Sequence, residues 1–261
     1  MGDDFLYKDV PALERRVHRL GMACNFGLQP EAMQAGLDAG LNYIFWTPKM
    51  GKVTSTLRAA LKKDRERLVV SSGPTLGYFG GQLTRGIDTI LRQLDTDYLD
   101  ILQLFWLGKT SAWTDGTVDT QLELKAQGKV RKIGVSIHDR PRAGRLAQDS
   151  PLDMLMVRYN AAPPGAEQAI FPHVRPQPTA VVAYTATRWR KLLKRPRGWD
   201  GPVPTAADCY RFCLSHPTVD VVLHGPKNLP QLQENLAGLD KGPLSEDEMS
   251  WMREFGAVVH G

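Results

Sequence analysis

The sequence predicts an α/β fold, a (β/α)8 TIM barrel with a short N-terminal segment and an extra C-terminal helix. Short β-branched or apolar runs alternate with segments of helical period, the pattern of a parallel sheet wrapped by helices. The alternation occurs eight times in order. A chain of 261 residues, 42% hydrophobic, also has the length and apolar content of one such barrel.

The segment before Val17 is too short for a domain and predicts a hairpin closing the bottom of the barrel. Strand-like runs follow at 18–23, 42–46, 68–72, 98–105, 132–137, 154–160, 180–185 and 219–224. Helical patterns trail them at 30–39, 54–63, 82–94, 117–127, 141–147, 166–174, 205–215 and 229–239. Pro30 opens a helix without losing a needed donor, and Gly40 and Gly128 stand where helices stop. Ser245, with Glu248 three residues on, forms a capping box that starts the terminal helix. No linker or low-complexity tract interrupts the pattern, so the reading is one domain over residues 1–261.

Composition narrows the function classes. No stretch approaches the roughly 20 apolar residues of a membrane span, and the start Met1-Gly2-Asp3-Asp4 is acidic where a signal peptide is basic, so the expected place is cytoplasmic. Three cysteines fit a reducing compartment and no zinc-ligand spacing, so no metal is expected; Cys209 and Cys213 read as core packing. The net charge of +5 is dispersed except over 188–197, where TRWRKLLKRPR gathers six cations. That run reads as a solvated loop or as an anion site for cofactor or substrate. Nucleic acid is disfavoured because no other basic segment extends a track.

Several segments resemble the aldo-keto reductases in order and spacing: LGMA, AGLNYIFWTPKMG, DTDYLDILQLFW, GKVRKIGVSI, VRYN, VVAYTAT and VVLHGPKNLPQLQENL. The resemblance implies the barrel, an NADPH-linked oxidoreductase, and a tetrad in which a tyrosine protonates the carbonyl, a lysine paired with an aspartate lowers its pKa, and a histidine orients the substrate. Carried onto this chain, the aspartate position is Phe45, the tyrosine Met50, the lysine Gly73 and the histidine Phe105. None can exchange a proton. The changes are mutually consistent, since an unpaired buried lysine costs several kcal/mol whereas an apolar refill of the group is nearly neutral.

The implied cofactor residues are divided. Ser136 and Tyr184 stand at the carboxamide-holding and nicotinamide-stacking positions, but Ile137 and Met156 replace the amide partners. At the adenosine end, Gly225, Lys227, Gln231, Glu234 and Asn235 resemble the turn and helix that hold the 2′-phosphate and adenine, with Arg188 on the pyrophosphate side. A helix N-terminus with a lysine suits an anion and favours NADP(H) over NAD. The same residues also read as an exposed charge, a helix cap and a packed amide.

Polar residues at the C-terminal strand ends are the remaining candidates in this fold. They include Cys24, Asn25, Trp46, Lys49, Tyr78, Trp106, His138, Asp139, Arg158, Asn160 and His224. Tyr78, His138 and His224 are the acid–base candidates; each equally reads as a structural residue. Three functions stay open: a divergent aldo-keto-reductase-like pseudoenzyme that binds NADP(H), an active oxidoreductase or cofactor-free lyase or isomerase with relocated groups, and a non-catalytic binding or scaffold protein. In each, the expected partner is a small molecule at the barrel mouth.

Overall fold

A computed structural model describes residues 3–163, 165–174 and 178–260. After a short helix α1 (Asp3–Leu6), strands β1 (Tyr7–Val10) and β2 (Arg15–His18) pair antiparallel. Eight parallel strands then close a barrel: β3 (Leu20–Ala23), β4 (Tyr43–Phe45), β5 (Val69–Ser72), β6 (Leu99–Leu104), β7 (Val130–Ile137), β8 (Met154–Arg158), β9 (Ala180–Tyr184) and β10 (Val221–His224), with β10 returning to β3. The outer helices are α2 (Pro30–Asp38), α3 (Thr54–Lys63), α4 (Gly80–Leu94), α5 (Asp115–Ala126), α6 (Arg140–Asp149), α7 (Gly165–Ala169), α8 (Phe171–Val174), α9 (Ala206–Ser215) and α10 (Leu229–Leu239), followed by α11 (Glu246–His260).

Two hydrophobic clusters divide the molecule. Tyr43, Val69, Ile101, Met154, Met156, Val182, Val221 and Leu223 fill the barrel, and Val10, Leu13 and Val17 of the hairpin plug its bottom. The larger cluster lies between barrel and helices. Strand side chains alternate between the two, as a period of two requires. Gly134 belongs to the inner set: an added Cβ would stand 2.7 Å from the Met154 Cε atom.

Several expected bounds shift by one or two residues, and three differences have a clear local cause. The run 18–23 is split at Arg19, whose buried guanidinium donates to the carbonyls of Leu214 and Val219, so His18 ends the hairpin and Leu20 begins the barrel. The helix expected over 166–174 is two short ones, because Pro172 lacks the amide needed to continue α7. Helix α5 begins at Asp115 rather than Thr117 because the Thr114 hydroxyl caps it, accepting from the Thr117 amide at 3.3 Å. The terminal capping box forms as its spacing demands, with Ser245 and Glu248 each accepting from the other's amide. No helix of the described residues is long and apolar enough to cross a membrane.

Candidate functional site

The C-terminal mouth of the barrel has two unlike halves. On the side of β4, β5 and β6 it is apolar. The rings of Phe45 and Phe105 meet edge to face at 5.7 Å between centroids, a contact worth about 1 kcal/mol beyond burial. Gly73 is buried beside them, and a Cβ placed there would fall 2.0 Å from the backbone oxygen of Gln103. The lysine position is therefore closed to any side chain by the neighbouring strand. Met50 does not join this group: its sulfur accepts from the Thr47 amide at 3.3 Å, and the side chain packs on the outer cluster.

The loops after β5 and β6 are tied together over this half. The Gly77 amide donates to the Thr110 carbonyl at 2.9 Å, the Ala112 amide to Gly77 at 3.0 Å, and the Tyr78 hydroxyl to the Lys109 carbonyl. Tyr78, an acid–base candidate from the sequence, is a strut between loops.

The half formed by β7, β8 and β9 is polar. Arg158 follows inward-facing Met154 and Met156 on β8, and its Nη2 lies 3.3 Å from His138 Nδ1. The Tyr184 hydroxyl is 3.4 Å from both ring nitrogens of His138. The Arg158 guanidinium also stacks on Trp189, 4.5 Å from the ring centroid. Burial first, then the charges of Arg158 and Lys109, lower the His138 pKa, so the imidazole is neutral at pH 7 and accepts from Arg158. Burial raises the Tyr184 pKa while Arg158 pulls it down. Ser136, beneath them, is buried, with its hydroxyl accepting from the Trp106 amide at 2.9 Å.

Trp189 is held by an unusual turn. Thr185, Arg188, Trp189 and Arg190 all have left-handed φ values of 57°, 48°, 50° and 68°. For residues with a Cβ this costs roughly 1–2 kcal/mol each. Arg188 anchors the turn by donating to the Val259 carbonyl at 2.7 Å. Arg188, expected at the cofactor's pyrophosphate side, is thus engaged as a brace to α11.

Other expected site residues are also engaged structurally. His224 is 1% exposed and faces the helices: its Nδ1 accepts from Asn235 Nδ2 at 3.2 Å, and its ring meets Tyr210 edge to face. His224, an acid–base candidate, and Asn235, expected as an adenine ligand, are thus buried against each other. Gln231 accepts from the Lys227 amide at 2.9 Å and caps α10 together with Asn228. Phe26 lies on Gly225, where an added Cβ would meet its ring at 2.3 Å. Lys227 and Glu234 are exposed. Asp139 caps α6, and Asn160 donates to the Thr185 carbonyl at 3.1 Å. Cys24 is buried, which pushes its thiol up to about 12, and it is no nucleophile there. Among the described residues, no group of three or more His, Cys, Asp or Glu gathers to hold a metal.

Arg158, one of the polar residues at the strand ends, and Trp189 are the centre of this polar half. The period of two from Met154 and Met156 already points Arg158 into the barrel; nothing local signals the Trp189 stack.

The fold is a closed (β/α)8 barrel with an apolar and a polar half at its mouth. The chain belongs to the Aldo/keto reductase family, whose family model matches residues 24–196. It is similar to methylglyoxal reductase YeaE of Escherichia coli (strain K12), 31% identical over 161 residues, covering 59% of this chain and 56% of that protein. Aldo-keto reductase YhdN of Bacillus subtilis (strain 168) is 24% identical over 167 residues, covering 59% and 50%. An NADH-specific methylglyoxal reductase of E. coli (strain K12) is 29% identical over 209 residues, covering 65% and 62%. The matches thus span half to 62% of these relatives' lengths. In structure, aldo-keto reductase AKR11C1 from Bacillus halodurans (holo form) superimposes with a TM-score of 0.80 at 20% identity over 95% of each chain, a likeness of fold.

Proposed function

We propose that this protein is an aldo-keto reductase family barrel whose mouth binds a small molecule and no longer carries the family's proton-donor chemistry. The observation that carries the reading is Gly73. A lysine cannot stand where a Cβ would fall 2.0 Å from a backbone oxygen, and the positions of the aspartate and the histidine hold Phe45 and Phe105, packed edge to face. General acid catalysis and a placed hydrogen bond to the developing alkoxide contribute roughly 10²-fold to 10⁴-fold each.

A nicotinamide cofactor fits these residues poorly. Ile137 and Met156 offer no amide to its carboxamide, and the Ser136 hydroxyl already accepts from Trp106. Arg158 sits within hydrogen-bond reach of the same His138 that Tyr184 approaches, a fixed positive charge where the oxidised ring would itself be cationic. At the adenosine end, Gln231, Asn235 and Arg188 are engaged within the fold, leaving Lys227 as the exposed cation. NADP(H) is expected to bind only weakly, with a Kd above about 1 mM, through a salt-sensitive contact that Lys227→Glu removes. Fluorescence titration checks this; a micromolar Kd overturns it.

The decisive assay uses methylglyoxal, the compound in two relatives' names, with NADPH and with NADH. Expected turnover lies below about 0.01 s⁻¹, against the 1 s⁻¹ or more that enzymes commonly show. An ordinary rate sinks the proposal and favours the second reading, an active enzyme with a relocated acid. Tyr184, beside His138 and Arg158, is then the donor, and Tyr184→Phe abolishes the rate.

A further inference from the structure

We infer that the polar half of the mouth is an anion site centred on Arg158, and that it takes a small carboxylate carried on a flat apolar body. This rests on reading the mouth as a ligand site without proton-donor chemistry, and it names the ligand class.

Arg158 lacks a counter-charge. Among the described residues no carboxylate pairs with it, and its Nε is buried without a partner. Its neighbours are a neutral imidazole, a phenol and the face of an indole. A partly desolvated guanidinium without a counter-charge is costly, and an anion beside it relieves that cost. Elsewhere Arg65 pairs with Asp100 at 2.8 Å and Arg211 with Glu248 at 2.8 Å, and the buried Arg19 guanidinium is satisfied by backbone carbonyls. Lys109 is close enough to depress His138 and adds to the positive field.

The surroundings specify the rest of the ligand. Of the exposed large hydrophobics among the described residues, Phe26, Leu76, Phe79, Trp106 and Trp189 all lie in loops at the C-terminal ends of barrel strands. Such a concentration on one face marks a binding site more often than chance exposure does. Trp189, 55% exposed, is kept over Arg158 by a run of left-handed residues that the fold maintains at a cost. Trp106, also 55% exposed, is tied through Ser136 to β7, the strand that leads into His138. Flat rings match these indoles, and the planar fork of a guanidinium matches a carboxylate.

The full chain is titrated by calorimetry with 2-naphthoate, 2-naphthamide and 2-naphthyl phosphate. The expected result is saturable 2-naphthoate binding, with the neutral amide at least about 30-fold weaker. Arg158→Gln, folded by circular dichroism, loses a similar factor for the carboxylate and none for the amide; Arg158→Lys recovers part. Trp189→Leu weakens all three probes and reduces the ligand-induced fluorescence change. Equal affinity for carboxylate and amide, full affinity in Arg158→Gln, or no wild-type binding at millimolar 2-naphthoate overturns the proposal. Tighter binding of the phosphate overturns the carboxylate assignment. Failure here is distinct from failure of the functional reading, which the methylglyoxal assay decides without these probes.

Discussion

Gly73→Ala is expected to destabilise the protein by about 3 kcal/mol, although it adds a single methyl group. The added carbon would stand 2.0 Å from the Gln103 oxygen and 3.1 Å from the Gln103 carbon. That obstacle is backbone, so no rotamer change clears it; β5 and β6 must separate, disturbing the register in which Ser72 faces Leu102. Overpacking costs typically 1–3 kcal/mol and more where the obstacle is rigid. At roughly 2–4 °C per kcal/mol for a chain of this size, Tm should fall by about 6–12 °C. Gly116→Ala is the control, because a Cβ there meets nothing within 4 Å and the residue lies in the first turn of α5. The combined Phe45→Asp, Met50→Tyr, Gly73→Lys, Phe105→His variant should then neither fold stably nor reduce methylglyoxal. If Gly73→Ala melts with the wild type, the lysine position is open and the argument from Gly73 fails.

The barrel was legible because parallel strands covered on both faces read as short continuous apolar runs, and each was followed by a helical period. Its helix ends were less legible, since they are set by single side chains such as Thr114 and Thr205 rather than by periodicity. The four substituted tetrad positions could be read from motif spacing. That Gly73 is sterically closed could not, because the obstacle belongs to a strand 30 residues away. The adenosine-end residues misled for the same reason. Asn235 is bound to His224 and Arg188 to the Val259 carbonyl 71 residues on, and sequence gives no sign that their donors are occupied. Polar motif residues are shared between ligand binding and internal bonding, and only tertiary contacts decide which demand is met.

Between pH 7.5 and pH 5 the protein should lose on the order of 4 kcal/mol of stability, a fall driven by two buried histidines. Burial is the main cause in both: the His18 pKa is lowered to about 4 and the His224 pKa to about 3. His18 is 3% exposed, its Nδ1 accepts from the Leu20 amide at 3.0 Å, and its ring packs on Tyr7; Asp240 raises its pKa only slightly. His224 accepts from Asn235, and its Nε2 is buried without a partner. Well above pH 6.5, from about pH 7.5, both rings are neutral folded or unfolded, and stability does not depend on them. Below it the unfolded chain takes up two protons that the folded chain refuses, so each pH unit costs about 1.4 kcal/mol per histidine until the folded pKa is reached. The lowered carboxylates oppose nothing in this window, because Glu66, held at about 2 chiefly by its hydrogen bond to Arg131, and Glu248, lowered by Arg211, stay ionised in the fold. Asp100, raised by burial, gives a smaller gain of the opposite sign as pH falls. Urea unfolding at pH 7.5, 6.5, 5.5 and 5.0 measures the slope. His224→Leu should halve it whatever it does to stability at pH 7.5, and a wild-type change below about 1 kcal/mol across the window would show that these rings protonate within the fold.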